Sequence, residues 1–270
     1  MRVLVVTAVA AERDAVVRGA SAAATGTAGA EKAPGTAEET PGTPASVVEF
    51  AVPGYVLHRP APAGPEPLVI DVLAAGVGPA AAAAGTATAL AAAALSGSPY
   101  GLAVSAGIGG GFTTPGRSAA VGSVVVSDAI VAADLGAETP AGFVPVTDLG
   151  FGTVEHRPPE ALVRAVAEAA GAQRGEVLTV STVTGSAERA AALVAARPGA
   201  LVEAMEGFGV AEAAAVHGVP VLEIRAVSNP VGPRDRAAWR IGDALEALAG
   251  ASAALREALR AAPAETWSTS

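Results

Sequence analysis

The fold is decided by residues 201–229, which read LVEAMEGFGVAEAAAVHGVPVLEIRAVSN. The apolar run at the start predicts a buried strand, the Ala-rich middle predicts a helix, and the second apolar run predicts another buried strand. Glu206 falls at the first strand-to-helix junction, where the helix dipole favours an ionised carboxylate. Three polar residues end the second strand: Arg225, Ser228 and Asn229. Because ligands bind at the carboxyl ends of parallel strands, this stretch predicts a ligand-binding edge.

Outward from this stretch, apolar strand-like runs alternate with helical runs. The predicted strands are 2–7, 46–52, 55–59, 68–76, 101–111, 121–135 and 176–185. The predicted helices are 10–18, 79–95, 159–171, 186–199 and 236–261. Residues 46–76 are typical of a meander, and helix 79–95 of a crossover between parallel strands. The alternation predicts an α/β fold, namely a three-layer α/β/α sandwich with a central mixed, largely parallel sheet.

The domain organisation follows from length and composition. A chain of 270 residues can bury one sizeable core, so we expect a single domain over residues 1–262. Residues 20–45 repeat Gly, Pro, Thr and Ala with almost no large apolar side chain, which predicts a low-complexity flexible insertion. The polar residues 263–270 are expected to form a frayed tail.

Composition and charge exclude several function classes. The chain has no Cys, so disulfides and thiolate metal sites are impossible. The net charge of −9 argues against nucleic acid as a partner. No apolar run reaches the length of a membrane span, and acidic residues follow the apolar N-terminus where a signal peptide would be cleaved. We therefore expect a cytoplasmic protein. The three histidines, His58, His156 and His217, lack ligand spacing, so no metal site is expected.

Two glycine-rich segments follow predicted strands. Residues 76–81 fit the pattern G-x-G-x-x-A of dinucleotide sites, but a proline stands in the turn and no acidic residue ends the next strand, so tight strand–helix packing is favoured. Residues 105–111, SAGIGGG, could let a ligand lie against the backbone. A glycine-rich turn without a ligand is an equal alternative on these residues alone.

Glu12 is a third candidate, in the loop after the first predicted strand. Taken alone, an acidic residue near a helix start is usually a solvated partner of the helix dipole. Glu12, however, is predicted to lie at the same carboxyl edge as Gly107, Glu206 and Asn229, and this combination favours a functional site.

These residues together carry a family resemblance. The run Val202 to Glu206, the strand end Arg225 to Asn229, the turn Ser105 to Gly107 and Glu12 resemble the nucleoside phosphorylase and nucleosidase superfamily. Within it, the pattern is similar to the futalosine hydrolases, menaquinone-pathway relatives of the methylthioadenosine/S-adenosylhomocysteine nucleosidases. The resemblance implies hydrolysis of the N-glycosidic bond of futalosine, which releases hypoxanthine and dehypoxanthine futalosine. It implies no cofactor, a small-molecule nucleoside substrate, and a homodimer or larger homo-oligomer.

The resemblance also implies roles for individual residues. Glu12 would activate the attacking water, and Glu206 would bind the ribose hydroxyls with Met205 packed on the sugar. The purine would lie against the backbone of Ser105, Ala106 and Gly107 and under a loop that includes Val183 and Thr184. Arg225 and Ser228 would hold the loop around the base-binding side chain.

Asn229 departs from the pattern of adenine-specific nucleosidases, which have Asp at this position. An amide can donate to O6 of a 6-oxopurine and accept from N7–H, so hypoxanthine is the expected base. An amide cannot itself be the general acid, so Asn229 would need the N7 proton to come from water or another donor. A second departure is Ala204, which is inserted in the usual run and obscures the role of Glu203.

The remaining choices concern the nucleophile and the far end of the substrate. Glu12 would repel a phosphate and suits a water, which favours hydrolysis over phosphorolysis. Arg234 and Arg236 are candidate contacts for the carboxylate of futalosine, with Trp239 as an aromatic wall, although a solvated charged loop explains them equally well. The alternatives are a nucleosidase for aminodeoxyfutalosine or methylthioadenosine/S-adenosylhomocysteine, a purine nucleoside phosphorylase, and a nucleoside-binding protein without catalysis.

Overall fold

The computed structural model describes residues 1–21, 47–61, 68–114 and 116–261. The strands are β1 Arg2–Thr7, β2 Val47–Val52, β3 Tyr55–Pro60, β4 Val69–Ala74, β5 Leu102–Gly111, β6 Thr113–Thr114, β7 Arg117–Ser118, β8 Val124–Ala132, β9 Gly136–Thr139, β10 Gly142–Pro145, β11 Glu155–His156, β12 Gln173–Thr179, β13 Ala200–Ala204 and β14 Val221–Pro230. The helices are α1 Ala10–Ser21, α2 Pro79–Leu95, α3 Glu160–Ala170, α4 Ala187–Ala196, α5 Gly207–Val216 and α6 Ile241–Ala261, with a 3-10 turn at Arg236–Ala238.

The central sheet is mixed, as predicted. Its main path runs β11-β8-β12-β13-β5-β1-β4-β3-β2. Parallel pairs join β1 to β4 and β5, and β12 to β8 and β13. Strand β14 pairs with β5 in parallel and with β8 antiparallel. Because β14 joins β5 to β8, the strands β8, β12, β13, β5 and β14 close into a ring, which the sequence did not predict.

Helices cover both faces of the sheet. In β1, Val3 and Val5 pack with α1, α3 and α6, whereas Leu4 and Val6 pack with α2 and α5. This alternation follows from the two-residue period of a strand, and it makes β1 apolar on both faces. The predicted α/β fold with a central mixed sheet between helices is thus confirmed, as are the crossover helix α2 and the meander β2-β3-β4.

Several predicted boundaries are wrong. Strand β12 ends at Thr179 rather than 185, because its partner β13 ends at Ala204 and the ladder stops there. The last helix begins at Ile241, since Asp235 caps a separate 3-10 turn. Helix α1 continues to Ser21, past the predicted start of the insertion; the rest of residues 20–45 and the tail 263–270 lie outside the described residues. Within the described residues, no helix is both long and apolar enough to cross a membrane.

Candidate active site

A cavity of about 440 Å³ opens at the carboxyl ends of β1, β5, β13 and β14. Parallel pairing of β1 with β5 and of β5 with β14 brings three of these strand ends together, and the end of β13 joins them by antiparallel pairing of Val202 and Glu203 with Gly111 and Gly110 of β5. The wall is formed by short segments from each of them, chiefly Glu12, Ile108, Gly109, Gly110, Met205, Glu206, Ser228 and Asn229. The cavity therefore unites most of the predicted site residues, including both candidate carboxylates and the amide.

Glu12 is held by backbone donors on both carboxylate oxygens. Its Oε2 accepts hydrogen bonds from the N–H groups of Ala8 at 3.0 Å and Val9 at 3.2 Å, and its Oε1 accepts from Ile108 N–H at 2.9 Å. Burial raises the pKa of the Glu12 carboxyl, against the opposing charge of Arg225 and these hydrogen bonds. Oε1, which accepts only one of these bonds, keeps a lone pair for a further ligand. A fixed carboxylate with a raised pKa suits a general base.

Glu206 lies two residues past the end of β13 and forms the N-cap of α5. Its Oε1 accepts from Gly78 N–H at 3.2 Å, and its Oε2 accepts from Arg225 Nη1 at 3.1 Å. Gly78 has φ +96°, a conformation that favours glycine, and directly precedes Pro79 at the start of α2. The glycine-rich segment 76–81 therefore helps to position Glu206, besides joining β4 to α2.

Arg225 is buried below the cavity and binds several groups at once. Its Nε donates to Glu223 Oε1 at 2.9 Å, its Nη2 to Ser105 Oγ at 2.9 Å, and its Nη1 to Glu206 and to the carbonyl of Ile108. Desolvation opposes the charge, but the surrounding carboxylates outweigh it, so the pKa of Arg225 is raised. The Arg225 side chain is 1% exposed and holds Glu206 from beneath, so it does not line the cavity, and its predicted role in holding the loop around the base-binding side chain stays a prediction.

Gly107 lies between Glu12 and Arg225. A Cβ on Gly107 would meet Glu12 Oε1 at 2.6 Å and Arg225 Nη1 at 2.7 Å. Only a residue without a side chain lets the carboxylate and the guanidinium approach the strand at this point.

The prediction that Ser105, Ala106 and Gly107 line the base site is wrong. All three are buried within β5, and the wall is formed by Ile108, Gly109 and Gly110. The glycines resembled a turn, but β5 continues as a strand to Gly111, so its carboxyl end lies further along. Their small size serves strand packing, since a Cβ on Gly109 would meet Val202 at 2.6 Å.

Asn229 faces the cavity with its amide oriented by neighbours on its own strand. Its Nδ2 donates to the Pro230 carbonyl at 3.0 Å, and its Oδ1 accepts from Ser228 Oγ at 2.8 Å. The Pro230 carbonyl fixes the orientation of the amide: Nδ2 must face it, because Oδ1 in that position would be repelled by the carbonyl oxygen. One amide hydrogen and one lone pair remain available to a base. Ser228 thus orients the amide of Asn229.

The loop after β12 is tied to the cavity wall through Glu203. Thr184 donates its N–H to Glu203 Oε1 at 2.8 Å and its hydroxyl to Glu203 Oε2. Val183 and Thr184 line the cavity, as the resemblance implied. Burial raises the pKa of Glu203, and the two hydrogen bonds from Thr184 oppose that rise. Glu203, which the sequence left without a role, therefore anchors this loop.

The loop after β14 contributes a cation and an aromatic ring. Arg234 and Trp239 line the cavity, and the Arg234 guanidinium carbon lies 5.5 Å from the centre of the Trp239 ring. Arg236 is exposed and does not contribute to the wall, so its predicted place beside Arg234 is wrong. The reason is that Asp235 caps the 3-10 turn with a bond to Ala237 N–H, which directs the chain away.

Glu223 and Gly78 are site residues that the sequence analysis missed. Glu223 lies two residues before Arg225 on β14, so the two-residue period of the strand puts both on one face. That spacing was visible in the sequence, whereas the contact of Gly78 with Glu206 joins residues 128 positions apart. Among the described residues, no three His, Asp or Glu side chains form a group that could hold a metal ion.

Comparison with known proteins agrees with this geometry. Residues 66–262 match the family model of the phosphorylase superfamily. The chain belongs to the phosphorylase superfamily. This superfamily member is 62% identical to the futalosine hydrolase of Streptomyces coelicolor over 99% of its own length and 98% of that protein.

Solved structures of the superfamily have the same fold. The futalosine hydrolase of Helicobacter pylori matches with a TM-score of 0.70 and 17% identity, covering 97% of both chains. The 5'-methylthioadenosine/S-adenosylhomocysteine nucleosidase of S. pneumoniae, solved with a transition-state inhibitor, matches with a TM-score of 0.72 and 20% identity, covering 96% of this chain and all of that one.

Proposed function

We infer that this superfamily member is a nucleosidase that hydrolyses the N-glycosidic bond of futalosine and releases hypoxanthine and dehypoxanthine futalosine, a step of menaquinone biosynthesis. The full-length likeness to a futalosine hydrolase supports the substrate. One observation carries the chemistry: Glu12 and Glu206 are two buried carboxylates that line the same cavity.

The surroundings of Glu12 favour water over phosphate as the nucleophile. The N–H groups of Ala8, Val9 and Ile108 converge on one point, where an anion could be bound. The Glu12 carboxylate itself occupies that point. A phosphate would have to displace a buried carboxylate or face its charge, whereas a water can donate a hydrogen bond to it. Glu12 would then accept the proton of the water as the carbon–oxygen bond forms.

Glu206 would bind the ribose and stabilise the transition state. Breaking the glycosidic bond places positive charge on the sugar, as in an oxocarbenium ion, and a fixed carboxylate nearby stabilises that charge. Arg225 and Met205 N–H donate to Oε2 of Glu206 and Gly78 N–H donates to Oε1, so one lone pair of Oε1 is left for a ribose hydroxyl. Met205, in the same wall, would pack on the sugar.

Asn229 would select the base. The free amide hydrogen can donate to O6 of hypoxanthine, and the free lone pair of Oδ1 can accept from N7–H. Adenine has an amino group where hypoxanthine has O6, and this amino group would face the NH₂ of Asn229, so that two donors would oppose each other. The proton on N7 would come from water or another donor, since an amide has none to give.

Arg234 and Trp239 are proposed to hold the benzoate of futalosine. A guanidinium pairs with a carboxylate through two parallel hydrogen bonds, and an indole ring packs on an aryl group. Both side chains belong to the cavity wall and lie beside each other. Inosine lacks the benzoate, so this contact would distinguish the two substrates.

Three further expectations complete the proposal. Residues 1–262 would form one domain, the enzyme would act in the cytoplasm, and it would assemble as a homodimer or larger homo-oligomer. The superfamily resemblance supports the assembly, and light scattering after size-exclusion chromatography measures it directly.

Incubation with candidate nucleosides tests the function. Futalosine, aminodeoxyfutalosine, inosine and methylthioadenosine are each supplied with and without phosphate, and the free base is measured by chromatography. We expect hypoxanthine from futalosine at the same rate in both conditions. Release only with phosphate would identify a phosphorylase, release of adenine alone would assign an adenine-specific nucleosidase, and no release from any substrate would leave a binding protein.

A further inference from the structure

Glu223 is a buried carboxylate that the mechanism does not use. It lies on β14 with 0% exposure, and its Oε1 accepts from Arg225 Nε at 2.9 Å. Its Oε2 has no hydrogen-bond partner among the described residues. A Cβ on Gly207 would lie 2.2 Å from each oxygen of Glu223, so the carboxyl group packs directly against the first residue of α5. Burying a carboxylate is costly unless it is paired, so an apolar residue would fill this space more cheaply.

The guanidinium of Arg225 explains why an acid is placed here. The three nitrogens of the guanidinium each have a separate partner: Nε has Glu223, Nη2 has Ser105, and Nη1 has Glu206. Two of these partners lie away from the cavity and one faces it. Without an acceptor at Nε, the planar group would keep Ser105 and the longer contact with the Ile108 carbonyl to fix its rotation, and Nη1 would be aimed less well at Glu206.

We propose that Glu223 is a positioning residue for the hydrolytic reaction: by holding Arg225 Nε–H, it fixes the guanidinium that holds Glu206 and lies beside Glu12. The inference rests on the proposed function, in which Glu206 binds the ribose and Glu12 activates the water. It assigns Glu223 no contact with the substrate. Its effect reaches the reaction only through Arg225.

The charged groups around Arg225 also influence the protonation of Glu223. Three carboxylates, those of Glu12, Glu206 and Glu223, surround one guanidinium. Burial raises the pKa of Glu223 to about 7, opposed by Arg225 and reinforced by the charge of Glu206. Gly207 of α5 adds no ionisable group on the remaining side. Glu223 thus changes charge near neutral pH, next to the groups that act on the substrate.

The test compares Glu223→Gln with Asp71→Asn in the full chain. Asp71 is a matched control, since it is also 0% exposed and paired with arginines, namely Arg2 and Arg59, but it does not line the cavity. Both substitutions replace a buried, arginine-paired acid by its amide. We measure kcat, KM and the pH profile of kcat/KM for the nucleoside that the wild-type chain hydrolyses, together with circular dichroism.

We expect Glu223→Gln to lower kcat about 10- to 100-fold with a smaller change in KM, because a neutral amide oxygen holds Arg225 Nε–H less firmly than a carboxylate does, and Glu206 and Glu12 are then less well placed in the transition state. The inflection near pH 7 in the wild-type profile should be absent. Asp71→Asn should keep that inflection and the wild-type kcat. If Glu223→Gln does not fold, Glu223→Asp serves instead: it keeps an ionisable group, so we expect the inflection to remain while the shorter side chain lowers kcat.

Two outcomes would overturn the inference. The first is a folded Glu223 variant with wild-type kcat and an unchanged pH profile, which would make Glu223 a packing residue only. The second is a loss of kcat in Asp71→Asn as large as that in the Glu223 variant, which would lead to the same conclusion. Failure of the proposed function is seen separately, because it appears as a wild-type chain that releases no base from any of the nucleosides.

Discussion

Arg225 Nη1 lies 3.1 Å from Glu206 Oε2, and both groups are buried beneath the cavity that Glu206 lines. The pair joins two consecutive strands, since Glu206 follows β13 and Arg225 belongs to β14. A carboxylate that must bind a substrate is thus held from the protein side by a cation. Such an arrangement costs desolvation energy but fixes geometry, which is what an electrostatic catalyst requires.

Glu12→Gln tests the general base. The amide can still accept from one backbone N–H, so the fold should survive, but it cannot take a proton from water. We expect kcat for hypoxanthine release to fall roughly 10²- to 10⁴-fold, with little change in KM. Asp14→Asn is the control on the same helix, because the Asp14 side chain is 57% exposed and pairs with Arg13. A Glu12→Gln variant with near wild-type kcat would assign the base elsewhere.

Gly107→Ala tests the close approach of Glu12 and Arg225. The new methyl group would stand 2.6 Å from Glu12 Oε1 and 2.7 Å from Arg225 Nη1, so at least one of them must move. Overpacking of this kind costs about 1–3 kcal/mol, and we expect a loss of kcat of at least tenfold. Gly250→Ala is the control, because open space surrounds Gly250 on α6. It should raise the free energy of unfolding by roughly 0.5–1 kcal/mol and leave kcat unchanged.

The sequence predicted the elements well because their apolar periodicity is local. Helix α2, for example, has the predicted bounds, and its start is signalled by Pro79 after a glycine. The carboxylates Glu12 and Glu206 were predictable as well, since each follows a buried strand. Their placement at one cavity also depends on the antiparallel pairing of β13 with β5, which the alternation of strands and helices does not imply.

The errors arise where geometry depends on distant residues. The end of β5 was predicted well, but the part of it that lines the cavity was misplaced, because glycine signals both turns and close strand packing, and only the neighbours Val202 and Glu203 decide between them. Arg225 was assigned to the substrate because a polar residue near a strand end usually faces a ligand. Whether it does depends on Glu223 and Ser105, which lie beneath it. The spacing of Glu223 and Arg225 is visible in the sequence, but the contact with Ser105, 120 positions away, is not.

Asn229→Asp tests the selection of the base. An ionised carboxylate would face O6 of hypoxanthine with a like partial charge, so we expect hypoxanthine release from futalosine to fall by roughly 10²-fold or more. Release of adenine from aminodeoxyfutalosine should rise relative to release of hypoxanthine, because the amino group of adenine can donate a hydrogen bond to the new carboxylate. Asn229→Ala separates the two effects, since it removes the amide without adding charge. An unchanged ratio of the two substrates in Asn229→Asp would show that the base is selected elsewhere.

Arg234→Ala tests the proposed contact with the benzoate. A hydrogen-bonded charged pair contributes about 1.5–3 kcal/mol, and partial exposure reduces this, so we expect KM for futalosine to rise about tenfold. KM for inosine should not change, because inosine has no carboxylate. Arg236→Ala is the matched control, as the same residue type in the same loop but outside the cavity wall. Equal effects of both variants on futalosine would point to a general effect of charge on substrate capture.

The effect of Glu223→Gln on the free energy of unfolding is expected to depend on pH. The pKa of Glu223 is raised from 4.5 to about 7 by burial, so the folded chain holds this proton where the unfolded chain has lost it. The contribution of the Glu223 proton to the stability of the folded chain is therefore fully present below about pH 4.5 and is lost as the pH rises to about 7. Glutamine does not titrate. Relative to wild type, the variant should gain about 1.4 kcal/mol per pH unit across that window, roughly 3 kcal/mol in total.

Urea unfolding followed by circular dichroism at pH 5, 6, 7 and 8 measures this difference directly. Asp71→Asn again serves as the control, because the sign at Asp71 is opposite: burial raises its pKa, but hydrogen bonds from Arg59, Arg2 and Tyr100 outweigh burial and lower it from 3.8. The stability contributed by Asp71 is lost only at more acidic pH, so its difference from wild type should be constant between pH 5 and 8. A constant difference for Glu223→Gln as well would mean that Glu223 stays ionised in the folded chain, with Arg225 fully compensating its burial.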